Sequence, residues 1–225
     1  MLEKNGAMMT RMTSARAFIE SHTRVTSPPT CPEIRLHLAP DMTAVWEHME
    51  AAFENHRPAP FWSVAWVGGQ ALARYLLDTP DWVAGKRVLD FGAGGGLCAI
   101  AAAKAGAARV AASDCDPMAL AAVALNAALN RVVLDLVADD VLGRDRAGDQ
   151  VVLAGDVWYE RHLAARVTPW LRRLAARGAR VLVGDMRRAY FPKAGVEELA
   201  RYAIPTSTAT EQRAVTAAGV WRVLP

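Results

Sequence analysis

Four short clusters of acidic and glycine residues have the types and spacing of a ligand site. The densest is Asp90-Phe91-Gly92-Ala93-Gly94-Gly95-Gly96. Glycines in such a run let the backbone turn tightly and let a ligand approach the N–H groups that open a helix. A dinucleotide fingerprint needs glycine at its first, third and sixth positions. Counted from Gly92, the sixth position is Leu97, and the pattern is G-x-G-x-G instead. Asp90 precedes the first glycine by two residues, where a carboxylate would repel a pyrophosphate. The same carboxylate suits a ligand carrying ammonium and sulfonium charges, such as S-adenosylmethionine (AdoMet). The ligand's own carboxylate would then use the helix N-terminus.

Asp114 follows Gly94 by 20 residues, the place where an acid accepts both hydroxyls of a ribose. Asp116-Pro117 reads as the N-cap and first residue of the next helix, a structural role. In Ala138-Asp139-Asp140-Val141-Leu142, one carboxylate, with Asp140 preferred, is placed to accept from an adenine amino group; the alternative is a solvated loop for both acids. Gly155-Asp156-Val157-Trp158-Tyr159 closes another apolar run. In a doubly wound sheet ligands bind beyond the C-terminal ends of the strands, so Asp156 and Tyr159 are where reacting groups should meet. The competing reading makes Asp156 a helix N-cap and Tyr159 a packed ring.

The elements that must position these groups alternate. Short β-branched runs at Arg87–Phe91, Arg109–Ser113, Val132–Val137, Gln150–Ala154 and Ala179–Val183 are separated by alanine-rich helical stretches over 97–105, 117–130 and about 160–176. Strands spaced by single helices imply βαβ units and a parallel sheet covered on both faces. The pattern near the C-terminus predicts a helix over Val196–Tyr202, then strand-like segments near 203–210 and 215–224 forming an antiparallel hairpin on the sheet edge. Before the core, residues 1–13 are polar and aperiodic. A short helix follows through Ser21, with Phe18 and Ile19 on its apolar side. A second helix is capped by Asp41, with Val45, Met49, Ala52 and Phe53 on one face. The expected organisation is a tail (1–13), a helical extension (14–80) and a core (81–225).

The chain has 225 residues, 26 basic against 23 acidic side chains, and three scattered cysteines. An excess of three charges is no footprint for a polyanion. Three thiols without C-x-x-C argue against a disulfide scaffold. No apolar run reaches the roughly 18 residues of a membrane span, no hydrophobic stretch follows the charged start, and Glu3 and Glu20 weigh against a transit peptide. The cytoplasm is the expected compartment. The histidines (His22, His37, His48, His56, His162) lack metal-ligand spacing, and G-x-S-x-G is absent. Arg172, Arg173, Arg177 and Arg180 suit a solvated helix end.

Taken together, these residues resemble the class I (seven-β-strand) AdoMet-dependent methyltransferases. More narrowly, they resemble the lysine methyltransferases of the electron transfer flavoprotein β-subunit. The resemblance runs from about residue 15 to the C-terminus. It is carried by Pro32-Glu33-Ile34-Arg35-Leu36-His37-Leu38, by the long segment from Pro60 to Asp78 (Pro60-Phe61-Trp62-Ser63-Val64-Ala65-Trp66-Val67-Gly68-Gly69-Gln70 and onward), by the D-x-x-Y of Asp156 to Tyr159, and by Val220-Trp221. It implies a doubly wound, mostly parallel seven-stranded sheet with helices on both faces. It further implies that Trp66, Asp90, Gly92, Gly94 and Asp114 hold AdoMet, with Asp140 near the adenine, and that Asp156 and Tyr159 lie at the methyl-transfer pocket. The expected substrate is a protein, the flavoprotein β-subunit. One departure stands out: the family's Gly-Asp-Pro-Gly-Arg is here Gly184-Asp185-Met186-Arg187-Arg188, which puts the substrate more than the chemistry in question.

A nucleic-acid amino-methyltransferase would carry an Asn/Asp-Pro-Pro-Tyr/Phe motif, which Asp156-Val157-Trp158-Tyr159 does not match. Two alternatives are a small-molecule N-methyltransferase acting on a nicotinamide-like amine and a non-catalytic AdoMet-binding protein. Methyl transfer needs an unprotonated amine, whereas a free lysine, with a pKa of about 10.4, is charged at neutral pH. Trp62, Trp66, Trp158 and Tyr159 are candidate walls of a desolvating pocket.

Overall fold

The computed structural model describes residues 14–53, 58–144, 148–206 and 215–225. The expected tail and part of the strand-like segment near 203–210 lie outside these residues. Helix α1 (14–22) leads to a small antiparallel pair, β1 (Arg24–Thr26) and β2 (Leu36–Leu38). Helix α2 (Met42–Ala52) begins where Asp41 accepts hydrogen bonds from the N–H groups of Thr43 and Ala44. Val45 and Met49 are buried with Phe18 and Ile19, and half-buried Phe53 packs edge-on to Phe18. Ala52 is exposed, a correction to the expected apolar face. Helix α3 (Val67–Asp78) then enters the main core.

That core is a seven-stranded sheet. Its strands are β3 (Arg87–Phe91), β4 (Arg109–Ser113), β5 (Asp135–Val137), β6 (Val151–Gly155), β7 (Arg180–Asp185), β8 (Val196–Pro205) and β9 (Val215–Val223). They lie in the order β5-β4-β3-β6-β7-β9-β8. The first five in sequence pair in parallel, and β9 joins β7 and β8 antiparallel. The order reverses between β3 and β6, so the switch point falls beyond the ends of those two strands.

Both faces are covered, which is why the central strands read as nearly unbroken apolar runs. Along β6, Val151 and Leu153 join one core with Leu72 and Ile100; Val152 and Ala154 join the other with Trp170 and Leu171. The first core takes α3 and α4 (Leu97–Lys104), and the second takes α6 (Arg161–Ala176). Helix α5 (Pro117–Asn130) starts at Asp116, whose carboxylate accepts from the Met118 N–H, and packs against α1 and α2. No helix among the described residues is long and apolar enough to cross a membrane.

The fold class and the C-terminal hairpin are as expected, and one element is not. Val196–Tyr202 forms part of the ten-residue strand β8, not a helix. Its Glu-Glu-Leu-Ala composition favours a helix, but pairing with β9 from Val196 to Pro205 overrides that weak preference. A bulge between Glu198 and Ala200 and the ion pair of Glu197 with Arg222 fit the polar residues to an edge strand. The strand expected over Val132–Val137 is shorter, Asp135–Val137.

Candidate active site

Beyond the ends of β3, β4 and β6 lies a crevice of about 740 Å³, within the roughly 300–1,000 Å³ typical of small-molecule sites. Its first wall is built from contiguous sequence. Gly92, Gly94 and Gly96 take φ of 64°, 53° and 84°, the left-handed region that glycine enters at low cost. Gly95 allows a different close approach: a Cβ there would stand 2.7 Å from the Trp62 carbonyl oxygen. The single 3₁₀ turn Phe61–Ser63 therefore presses directly on the glycine loop.

Gly92, Gly94 and Asp114 line this wall. Asp114 accepts from the Gly94 N–H at 2.9 Å and from the Asp116 N–H at 2.9 Å, which fixes its carboxylate at the loop. Burial raises its pKa against those bonds. Asp90 is placed differently from its neighbours. Its side chain is buried, it does not line the crevice, and it accepts from the Ala99 N–H in the first turn of α4. Burial pushes its pKa up to about 7. Here Asp90 ties the glycine loop to the helix.

Asp140 also stands outside the crevice lining, which its neighbour Val141 provides instead. Its carboxylate accepts from the Leu142 N–H and pairs with Arg166 of α6 at 3.0 Å. These bonds hold its pKa below the usual range.

The second wall is assembled from three distant segments. Asp156 directly follows β6 with φ of 56°, a conformation aspartate tolerates better than most side chains but rarely adopts. It is buried, at 8% exposure. One carboxylate oxygen accepts from Arg188 Nη1 at 2.6 Å and the other from the Gly69 N–H at 2.7 Å. Gly69 lies in the first turn of α3, so the carboxylate meets the positive end of that helix as well. Burial raises the pKa of Asp156, opposed first by Arg188 and then by the Gly69 and Gly68 amides. The helix N-cap role is excluded, because α6 is preceded by Glu160 in that position.

Gly68 and Gly184 explain how α3 reaches this carboxylate. A Cβ on Gly68 would lie 2.3 Å from the Gly184 carbonyl oxygen, and one on Gly184 would lie 2.0 Å from that of Gly68. Only glycine at both positions lets the helix end sit on the ends of β6 and β7. Neither glycine was singled out from sequence, although a Gly-Gly pair opening a helix is a visible signal.

Arg188 is likewise a site residue that the motifs alone did not assign a role. Its guanidinium lies 5.8 Å from the Trp66 ring centroid, a cation–π distance. The Arg188 backbone N–H donates to Asp185 Oδ1 at 2.7 Å. The altered loop becomes intelligible here. Arg187 has φ of 65°, at the position where the resembling family has glycine. Its guanidinium lies 5.3 Å from the Trp221 ring centroid, a contact that offsets part of the backbone strain.

Aromatic side chains edge the mouth. Trp66 and Phe61 line the crevice, and the Trp66 indole N–H donates to the Phe61 carbonyl at 2.9 Å. Tyr159 lines it too, 51% exposed and packed against Phe61. Trp62 contributes a buried wall. Trp158 does not: it is fully buried under α6, donating to Thr168, a correction to its expected place in the pocket.

The residues present fit AdoMet. A crevice of suitable volume combines a glycine-rich loop at a helix start, an acid bound to that loop and a second acid at the end of β6, with apolar walls from Phe61, Val157 and Leu163. This sheet order with such a crevice at its switch point defines a class I AdoMet-dependent methyltransferase.

Comparison with known proteins agrees. Residues 71–155 match the family of ribosomal protein L11 methyltransferase (PrmA). The chain is 40% identical to the electron transfer flavoprotein beta subunit lysine methyltransferase of Xenopus laevis, over 96% of this chain and 89% of that protein. The Homo sapiens protein of the same name is 37% identical over 93% and 82%. Among solved structures, a Pyrococcus horikoshii protein provisionally assigned as an RNA methyltransferase shares the fold. It superposes with a TM-score of 0.54 at 15% identity, covering 77% of this chain and 92% of that one. The chain belongs to the electron transfer flavoprotein β-subunit lysine methyltransferase family.

Proposed function

We propose that this enzyme transfers a methyl group from AdoMet to lysine side chains of the electron transfer flavoprotein β-subunit. One observation carries the reading. Asp114 and Asp156 follow the strands on either side of β3 and line a single crevice, whose lining also includes the exposed Phe61 and Tyr159. That arrangement gives a donor half and an acceptor half that a long side chain reaches from outside. The names of the relatives supply the acceptor protein.

AdoMet supplies an electrophilic methyl group on a sulfonium. Everything else falls to the chain. Asp114 accepts from the ribose, and Gly92 and Gly94 leave room beside the α4 N-terminus. Trp66 borders the donor, while Asp90 acts from beneath the loop by fixing it. Asp140, paired with Arg166, serves the adenine side only through the backbone it caps. Tyr159 and Phe61 desolvate the incoming lysine, which lowers its pKa, and Asp156 sets the direction of approach. Holding nitrogen in line with the methyl converts the encounter into a near-unimolecular step.

The test is incubation of the purified enzyme with tritiated AdoMet and, in parallel, the intact flavoprotein, total RNA and nicotinamide. Label on lysines of the β-subunit is the expected result. Label on RNA or on a free heterocyclic amine would overturn the proposal, as would AdoMet binding with no S-adenosylhomocysteine formed.

A further inference from the structure

A carboxylate beside the acceptor presents a chemical problem. An opposite charge within about 4–6 Å favours the charged form of an amine by about 1–3 pKa units. Asp156 standing bare in the crevice would therefore hold lysine as its ammonium ion, which has no lone pair to attack a methyl group. The structure answers this with Arg188. The guanidinium contacts Asp156 at 2.6 Å and, like Asp156, faces the crevice. The other oxygen of Asp156 already accepts from the Gly69 N–H. The pair is formally neutral, so Asp156 meets the amine as a polar partner whose own charge is offset by Arg188.

We propose that Arg188 is a positioning residue that neutralises Asp156 and so delivers the acceptor lysine in its unprotonated form. This rests on the lysine-methylation reading above and deepens it. Arg188 is itself held from three sides. Its backbone N–H donates to Asp185, its guanidinium lies over Trp66, and its Nη1 donates to Asp156. Asp185 is wholly buried, and its Oδ2 has no hydrogen-bond partner among the described residues. A buried acid kept in that state serves the loop turn that aims Arg188. The titratable groups coupled to the pair are Asp185 from β7 and Cys98 from α4, while Asp114, Cys115, Asp116 and Tyr159 line the same crevice. Cys98 is buried, with its pKa raised well above the ordinary thiol value by desolvation, so it brings no charge at neutral pH.

The step balances as follows. The ammonium loses its proton to water through the open mouth. The nitrogen lone pair then forms the N–C bond while the C–S bond breaks. The electron pair of that bond stays on sulfur, leaving a neutral thioether and a methylated, protonated amine.

The experiment uses the intact flavoprotein as acceptor, with wild type, Arg188→Gln and Arg188→Lys. Wild type and the lysine variant are expected to share one pH profile of kcat at saturating flavoprotein, the quantity that reports the bound lysine. In Arg188→Gln the ascending limb should move up by about one pH unit, with turnover at pH 7 down about tenfold and recovering at high pH. AdoMet affinity by calorimetry should be unchanged. A second readout needs no turnover: protons released when the flavoprotein binds in the presence of S-adenosylhomocysteine, from calorimetry in two buffers of different ionisation heat. Wild type should release up to about half a proton more than Arg188→Gln near pH 7.5, the most that a shift of about one unit allows. An equal fall at every pH with unchanged proton release would overturn the inference while leaving lysine methylation standing. A wild type that methylates no lysine at any pH would overturn both.

Discussion

The two walls of the crevice are built by opposite means. The glycine-loop wall is local: Asp90, the glycines and Asp114 come from two successive β–loop–α units, and their mutual bonds span 9 and 20 residues. The Asp156 wall joins α3, the end of β6 and the loop after β7, across 87 and 32 residues. The first wall is bound to backbone amides throughout. The second adds a side-chain ion pair, a left-handed aspartate and a helix packed on a strand end through paired glycines. A ligand common to a superfamily suits the first construction, whereas a particular acceptor suits the second, which distant loops can retune.

Five substitutions test this division, from the largest effect down. Gly184→Ala forces a Cβ to within 2.0 Å of the Gly68 carbonyl oxygen. Backbone on both sides leaves no flexible group to yield, so a loss of about 3 kcal/mol or more in denaturant unfolding is expected. Asp156→Asn should lower turnover by about a hundredfold through loss of orientation, at unchanged AdoMet affinity, confining the damage to the acceptor wall. Full activity would refute the role given to it.

Asp90 provides a test by pH. Its folded-state pKa of about 7 lies above the ordinary aspartate value of 3.8, so the folded protein holds this proton more tightly than the unfolded chain. The resulting stability is fully present below about pH 4 and is lost as pH rises through 7. The stability of wild type relative to Asp90→Asn should therefore fall by about 2 kcal/mol between pH 5 and pH 8. A pH-independent difference would contradict this. The smallest effect sharpens the contrast within the donor side. Asp114→Asn should weaken AdoMet binding by about tenfold through loss of a charge-assisted bond, while Asp140→Asn, whose carboxylate faces Arg166 at the surface, should change it by less than about twofold.

Much of this was legible in the sequence where the physics is local. The alternation of β-branched runs and alanine-rich stretches marked the parallel sheet, and Asp41 and Asp116 cap the helices they were expected to cap. The signal failed where a local preference opposed a distant partner. Val196–Tyr202 has helix-forming residues and becomes a strand because β9 offers it a ladder. Trp158 and Tyr159 are neighbours in the chain. One is sealed beneath α6 and the other is open at the crevice mouth, a distinction no composition carries.

The residue order by itself determined the class of sheet, the glycine turn and the acid 20 residues beyond it, because these depend on φ freedom, short-range hydrogen bonding and periodicity. Only the tertiary structure decided that Asp90 turns inward to Ala99, that Asp140 turns outward to Arg166, and that Asp156 meets both Arg188 and the start of α3. Those outcomes depend on which partner stands within hydrogen-bond reach once the sheet has closed and the helices have packed. That is a property of distances in space rather than along the chain.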